Sequence, residues 1–409
     1  MATKNSITVF EYEPLKFERD SPILETLQRF FKEKDFPYYT LINNGVRFCN
    51  YVGVLQIGNT VIEILPKADK NNDEKINEND KKNHWRKMLI DMLRSVGVFN
   101  IHAPSNANLS LKSNAILDLY FELFLKETER LLHKGLIKKY HKTEGNSNAL
   151  KGNLHFSKHI QQNLVHQERF YVKYNTYDRE HPLNCVLYKT IKLLHRINTN
   201  SALSSRIGAL LLNFPELPDV KVDAPFFEKI NYNRKNEDYK QAVDIAKLIL
   251  LNYHPDVKTG QNDVLALMFD MNLLWEQFVY KSLRLHLKEY SVKAQSSKSF
   301  WGNVRIKPDI LIEKDNKTVV LDTKWKNIGN NNPSHDDLRQ MYAYSKFHNN
   351  AITALIYPSD EENTYNTKNF HENNQQCGIL KLKVNSNINK WQKNIACFIE
   401  DEVLSETKS

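Results

Sequence analysis

Val304-Arg305-Ile306-Lys307-Pro308-Asp309-Ile310-Leu311-Ile312-Glu313, the polar tetrapeptide Lys314 to Lys317, and Thr318-Val319-Val320-Leu321-Asp322-Thr323-Lys324-Trp325 form the stretch that decides the fold. Two apolar, β-branched runs flank a short polar break, which predicts two antiparallel strands joined by a tight turn. A turn centred between Asp315 and Asn316 sets Asp309 directly opposite Asp322. Opposed residues on such a pair hold their Cβ atoms roughly 4.5 to 5.5 Å apart, and the two-residue side-chain period puts Lys324 on the face of Asp322.

Two carboxylates that close repel unless a cation lies between them or one is protonated. A hard divalent ion such as Mg²⁺ suits the position, because it accepts one or two protein carboxylates and completes its shell with water and phosphate oxygens. Lys324 would then hold an attacking water or offset charge that builds on a phosphate. The chemistry indicated is phosphodiester hydrolysis. The plain alternative is an exposed hairpin whose charges only solvate its outer face; the opposed acids, Pro308 and the apolar flanks weigh against it.

Upstream, Leu273 to about Tyr290 is patterned as a helix, with Glu276 in line with Val279, Leu283 and Leu287 on the face that should be buried. A buried carboxylate needs a partner, either a metal site or a Lys or Arg at the stripe's edge. Downstream, Ser334 reads as the N-cap of a helix that carries Gln340 and Tyr344 one turn apart. Together, Glu276, Pro308-Asp309, Asp322-Thr323-Lys324 and Gln340-x-x-x-Tyr344 resemble the PD-(D/E)xK nuclease superfamily, in its version with a Q-x-x-x-Y motif. That resemblance implies that Asp309 and Asp322 bind metal, that Lys324 is the catalytic lysine and that Glu276 is the carboxylate of the first core helix. Gln340 and Tyr344 would support the DNA or the site. The central acid is Asp rather than Glu, which the superfamily tolerates.

At 409 residues the chain has room for two or three domains, and 41% apolar with 26% charged residues is a soluble globular composition. Lys plus Arg, 57, exceed Asp plus Glu, 48, for a formal charge of +9, which fits a polyanionic partner such as nucleic acid. Cys49, Cys185, Cys377 and Cys397 form no C-x-x-C pair, so free thiols are expected. With no apolar signal core at the N-terminus and no run of about 18 apolar residues, the expected location is the cytoplasm, without a membrane partner.

Residues 1–69 read as a β-rich domain: a strand at Ile7 to Tyr12, a helix at Ile23 to Lys34, and strands within Val46 to Lys67 linked at Gly58-Asn59. It shows no catalytic constellation and is expected to dock a partner. Residues 70–83, almost all Lys, Asn, Asp and Glu, read as a linker. Residues 84–260 read as mainly helical, with helices at Trp85 to Val96, Ala115 to Leu136, Pro182 to His195 and Glu237 to Leu251. In that region the run containing Lys138, Lys139 and Lys142 is either a solvated face or a contact to the DNA backbone. Residues 261–409 read as the nuclease domain: helix, hairpin, helix, a buried strand at Ala351 to Tyr357, a polar loop over Asp360 to Gln376, a strand at Ile379 to Val384 and a final helix at Asn387 to Val403. The fold class expected is α/β, α+β overall.

Tyr51-Val52-Gly53-Val54, Ile62-Glu63-Ile64-Leu65-Pro66-Lys67, Leu150-Lys151-Gly152-Asn153-Leu154, Asn184-Cys185-Val186-Leu187, Trp275-Glu276-Gln277-Phe278-Val279 and Leu321-Asp322-Thr323-Lys324-Trp325-Lys326 resemble, in order and spacing, the McrC family of the McrBC modification-dependent restriction systems. The resemblance covers nearly the whole chain. It implies an endonuclease subunit that cleaves double-stranded, 5-methylcytosine-type modified DNA with Mg²⁺. It also implies an McrB-like AAA+ GTPase partner that carries the GTP and is stimulated by the N-terminal region. No G-x-x-x-x-G-K-[ST] phosphate loop is present, in keeping with a nucleotide bound only by the partner. The alternatives are a non-catalytic adaptor of an AAA+ protein and a nuclease that acts alone in repair.

Overall fold

The hairpin forms, but Pro308 divides the run that precedes it. In the computed structural model, which describes residues 5–33, 37–67, 78–97, 116–255, 263–315, 317–329, 332–370 and 375–405, Val304–Ile306 pairs with Lys298–Trp301 as a separate two-stranded ribbon. The sheet strand begins only at Ile310. Proline has no N–H to give to a ladder, so the strand breaks around it. Ile310–Lys314 then pairs antiparallel with Lys317–Thr323, Ile310 facing Leu321 and Lys314 facing Lys317. Asp315 closes the turn with φ +49, a left-handed conformation that Asp tolerates in tight hairpins.

The hairpin is the centre of a six-stranded mixed sheet in the order Ser291–Ala294, Ile310–Lys314, Lys317–Thr323, Ile352–Ser359, Gln376–Lys383 and Thr364–Asn369. Helix His335–Phe347 covers one face, burying Met341 and Tyr344 against Leu311, Val320, Leu355 and Tyr357. Elsewhere in the core, helices Met271–His286 and Ile388–Ile399 meet through Trp275, Phe278 and Trp391, with ring centroids 4.6 to 6.0 Å apart. The final helix ends at Ile399 and passes into a π turn over Glu400–Leu404. Thr364–Asn369 is a strand where the sequence predicts a loop. As an exposed edge strand it needs only backbone pairing on one side, so it carries no apolar alternation to read.

The same compact unit includes the N-terminal sheet, in which Asn5–Phe10 runs parallel to Thr60–Leu65, and Tyr51–Ile57 lies between that strand and Val264–Asp270. Gly53 has φ +134, and a Cβ there would lie 2.1 Å from the Leu267 carbonyl oxygen; only glycine admits this approach. Helix Pro22–Glu33 buries Leu27 and Phe30 against the sheet. Helix Glu78–Val96 packs on helix Met271–His286. Residues 78–83 of the expected linker are therefore helical, and 70–77 lie outside the described residues.

The chain divides into units of residues 1–112 with 256–409, and 113–255. This partition differs from the sequential one read in the sequence. Strand Val264–Asp270 joins the N-terminal sheet beside Tyr51–Ile57, so both ends of the chain share one unit. The second unit holds helices Ile116–Lys134, Pro182–Ile197, Ser201–Asn213 and Lys240–Leu251, with a small sheet of Lys139–Ser147, Phe170–Asp178 and Asn153–Leu154. Its buried Asn184 donates to the carbonyls of Ile137 and Arg179, both at 2.8 Å, and accepts from the Tyr239 hydroxyl at 2.9 Å. A buried amide satisfied in this way fixes local geometry.

Candidate active site

Asp309 and Asp322 stand one step beyond the last paired residues of the hairpin, Ile310 and Leu321, on the face of Leu311 and Val320. Asp309 is fixed on several sides. Its carbonyl oxygen accepts from the Gln295 N–H at 2.9 Å, and its Oδ2 accepts from the N–H and hydroxyl of Thr323 at 2.8 and 3.0 Å.

Asp322 is fully buried. Neither of its oxygens accepts a well-angled hydrogen bond from a described residue; Oδ2 lies 2.7 Å from the Lys324 ammonium. Burial, then the charge of Asp309, pushes the Asp322 carboxyl up to about 6, while Lys324 pulls the other way. Burial works against the Lys324 ammonium, yet its pKa is raised, because Asp322 outweighs the lost hydration.

Glu276 is buried on helix Met271–His286, whose start is capped by Asp270. Its Oε1 accepts from Gln295 Nε2 at 2.8 Å. Burial first, then Asp309, raises its pKa to about 7; Gln295 and Lys307 oppose this and Asp322 adds to it. Glu276, Asp309 and Asp322 thus lie within one another's fields.

Gln340 and Tyr344 are joined, Gln340 Nε2 donating to the Tyr344 hydroxyl at 2.8 Å. That hydroxyl donates in turn to the Lys307 carbonyl at 2.9 Å, so the pair holds the backbone just ahead of Pro308-Asp309. The helix that carries them starts as read, with Ser334 Oγ accepting from the Asp337 N–H at 3.2 Å.

Among the described residues no group of three or more His, Cys, Asp or Glu side chains is arranged to hold a metal ion. The candidate donors are therefore the pair Asp309 and Asp322, with Glu276 held back by Gln295. Two oxygen donors, one buried with unsatisfied oxygens, suit a hard divalent cation that keeps most of its own water. Lys138, Lys139 and Lys142 belong to the other unit, where they are exposed at the start of strand Lys139–Ser147.

Sequence reading missed Gln295, Thr323 as an anchor of Asp309, and Glu11. Glu11 is buried and accepts from Trp325 Nε1 at 2.7 Å and from the Lys67 N–H at 2.8 Å. This ties the N-terminal sheet to the residue after Lys324. Thr323 was visible in the strand, but nothing local marks Gln295 or Glu11.

Residues 46–358 match the family described as the McrBC 5-methylcytosine restriction system component. The chain belongs to that family. It is similar, at 20% identity and TM-score 0.70, to a chain in a refined half-complex from a tetradecameric assembly of Thermococcus gammatolerans McrB AAA+ hexamers with bound McrC, covering 97% of this chain and 100% of that one. A chain in the Thermococcus gammatolerans McrBC complex, also 20% identical, covers 70% of this chain and 89% of that one with a TM-score of 0.49. No curated protein matches. The mixed α+β fold read from its sequence is the fold observed, and it is shared with that chain of the half-complex. No helix among the described residues is long and apolar enough to cross a membrane.

Proposed function

We propose that this chain is the nuclease subunit of an McrBC-type restriction system, hydrolysing DNA phosphodiesters with Mg²⁺ and working with an McrB-like AAA+ GTPase. The observation that carries the reading is the buried Asp322, opposed to Asp309, with its oxygens turned, among the described residues, to no donor but Lys324. An unsatisfied buried acid beside a second acid is costly to the fold, and such arrangements mark functional sites.

Asp309 and Asp322 would hold the ion, which supplies Lewis-acid polarisation of the phosphate and a more acidic water. Thr323 keeps Asp309 in place, and the Gln340–Tyr344–Lys307 chain fixes the backbone from which Asp309 projects. Lys324, released from Asp322, offsets negative charge on the phosphate or positions the water. Glu276, with a pKa near 7, can give or take a proton around neutral pH. The partner is supported by family membership and by the relative whose structure contains McrB hexamers with McrC.

The test is plasmid cleavage by the chain with its AAA+ partner, Mg²⁺ and GTP, on methylated and unmethylated DNA, beside an Asp322→Ala variant. Cleavage that disappears in the variant while GTPase stimulation persists supports the nuclease reading. Cleavage indifferent to Asp322 removes it, and GTPase stimulation with no cleavage by the unaltered chain favours an adaptor.

A further inference from the structure

The ribbon Lys298–Trp301 with Val304–Ile306 leads directly into Lys307-Pro308-Asp309 and has no part in the chemistry above. Its tip is apolar and exposed: Trp301 is 77% exposed, Phe300 52% and Val304 51%. Single exposed apolar residues need no explanation, but three together at the end of one ribbon do. The four other tryptophans, Trp85, Trp275, Trp325 and Trp391, are buried. Between Gln295 and Pro308 there is no Asp or Glu, while Lys298, Arg305 and Lys307 supply three positive charges and the remaining polar residues are Ser and Asn.

The ribbon is also held in place. The Phe300 ring meets Phe347 at 5.9 Å, Arg305 grips Ser297 through Nε to Oγ at 2.6 Å and Nη2 to the carbonyl at 3.1 Å, and Tyr344 fixes Lys307. The tip therefore stands in a set position relative to Asp309.

We propose that this ribbon is a DNA-positioning element that lays Trp301 against a base or sugar of the duplex near the cleaved phosphate, while Lys298, Arg305 and Lys307 neutralise backbone charge. Val304, which pairs with Trp301, lies five residues before Asp309. Extended chain spans at most about 3.4 Å per residue, as does one nucleotide step, so the contact falls within about five nucleotides of the cut. A protein partner would more often meet an apolar patch ringed by both signs of charge; cations, hydroxyls and an exposed indole fit nucleic acid. The proposal rests on the nuclease reading of the adjoining site.

The test reads contact and cleavage separately. Because Trp301 is the exposed indole, acrylamide quenching of the full chain reports on it, and Trp301→Phe should remove most of the quenchable emission. Duplex DNA added to the non-cleaving Asp322→Asn chain should protect that emission. With the AAA+ partner, Trp301→Ala should raise the KM for DNA about tenfold with kcat little changed, and Trp301→Phe should restore most of the loss. Quenching that DNA leaves unaltered, with Trp301→Ala cleaving normally, overturns the proposal, as does protection by the partner protein instead of DNA. Failure of the unaltered chain to cleave, with Trp301 still protected by DNA, would overturn the nuclease reading and leave the contact standing.

Discussion

Two buried carboxylates on strands of the same compact unit are treated in opposite ways. Glu63, on Thr60–Leu65, is 1% exposed and is met by Arg86, whose Nε lies 2.8 and 3.0 Å from its two oxygens and whose Nη2 lies 2.5 Å from Oε2. Asp322, on Lys317–Thr323, is equally buried, but it faces another acid, and among the described residues its oxygens meet no donor apart from the ammonium of Lys324. A carboxylate whose lone pairs are taken by a guanidinium fork is part of the scaffold; under the proposed function, one left open beside a like charge is the position a cation would fill.

The largest effect expected of this contrast lies in activity. Asp322→Asn should lower DNA cleavage by about three orders of magnitude or more, yet leave the thermal midpoint unchanged or raised, because it removes a buried like-charge contact. A clear loss of stability would mean that Asp322 is scaffold after all. Glu63→Gln is the converse. It leaves Arg86, whose side chain is 14% exposed, without its counter-ion, and should cost about 3 kcal/mol in a urea titration. A cost under about 1 kcal/mol would break the comparison.

The pH dependence sharpens it further. Glu276 and Asp322 have folded pKa values raised to about 7 and about 6, so the folded chain holds protons that the unfolded chain has released. Their contribution is fully present below the unfolded values, near 4, and is lost as pH rises through 6 to 7. Without divalent ions the chain should lose on the order of 1–3 kcal/mol across that window. Glu11, also raised to about 7 by burial, adds to the slope, so the diagnostic is the flattening seen in Glu276→Gln. Mg²⁺ should raise the thermal midpoint at pH 8 and do little at pH 5; the same rise at both would count against acids that must ionise to bind it. The smallest effect is assigned to Tyr344→Phe, which removes the hydrogen bond to Lys307. About 1 kcal/mol of stability and about tenfold in cleavage rate are expected, measured by urea titration and single-turnover cleavage.

Much of the site was legible because it is local. The turn at Asp315 and the period of the flanking runs fix a register in which Asp309 and Asp322 fall at adjoining positions, and helical spacing alone placed Glu276 inward and Gln340 beside Tyr344. What failed to show has a physical reason in each case. The edge strand Thr364–Asn369 buries little and so carries no pattern. Pro308 splits a run that its β-branched neighbours make look continuous. Gln295 earns its place through a backbone hydrogen bond to Asp309 and a side-chain bond to Glu276, neither of which leaves a trace in residue spacing.

By itself the sequence determined the main helices, the register of the hairpin and the identity of the acids and lysine it brings together, since turn chemistry and side-chain period act over a few residues. Only the tertiary structure decided which distant segments share a unit. Strand Val264–Asp270 joins a sheet begun near the N-terminus, and Glu11 accepts from Trp325 across more than three hundred residues of chain. Such contacts depend on how whole apolar faces pack, and many partners of equal hydrophobicity compete for each face. No local pattern selects among them.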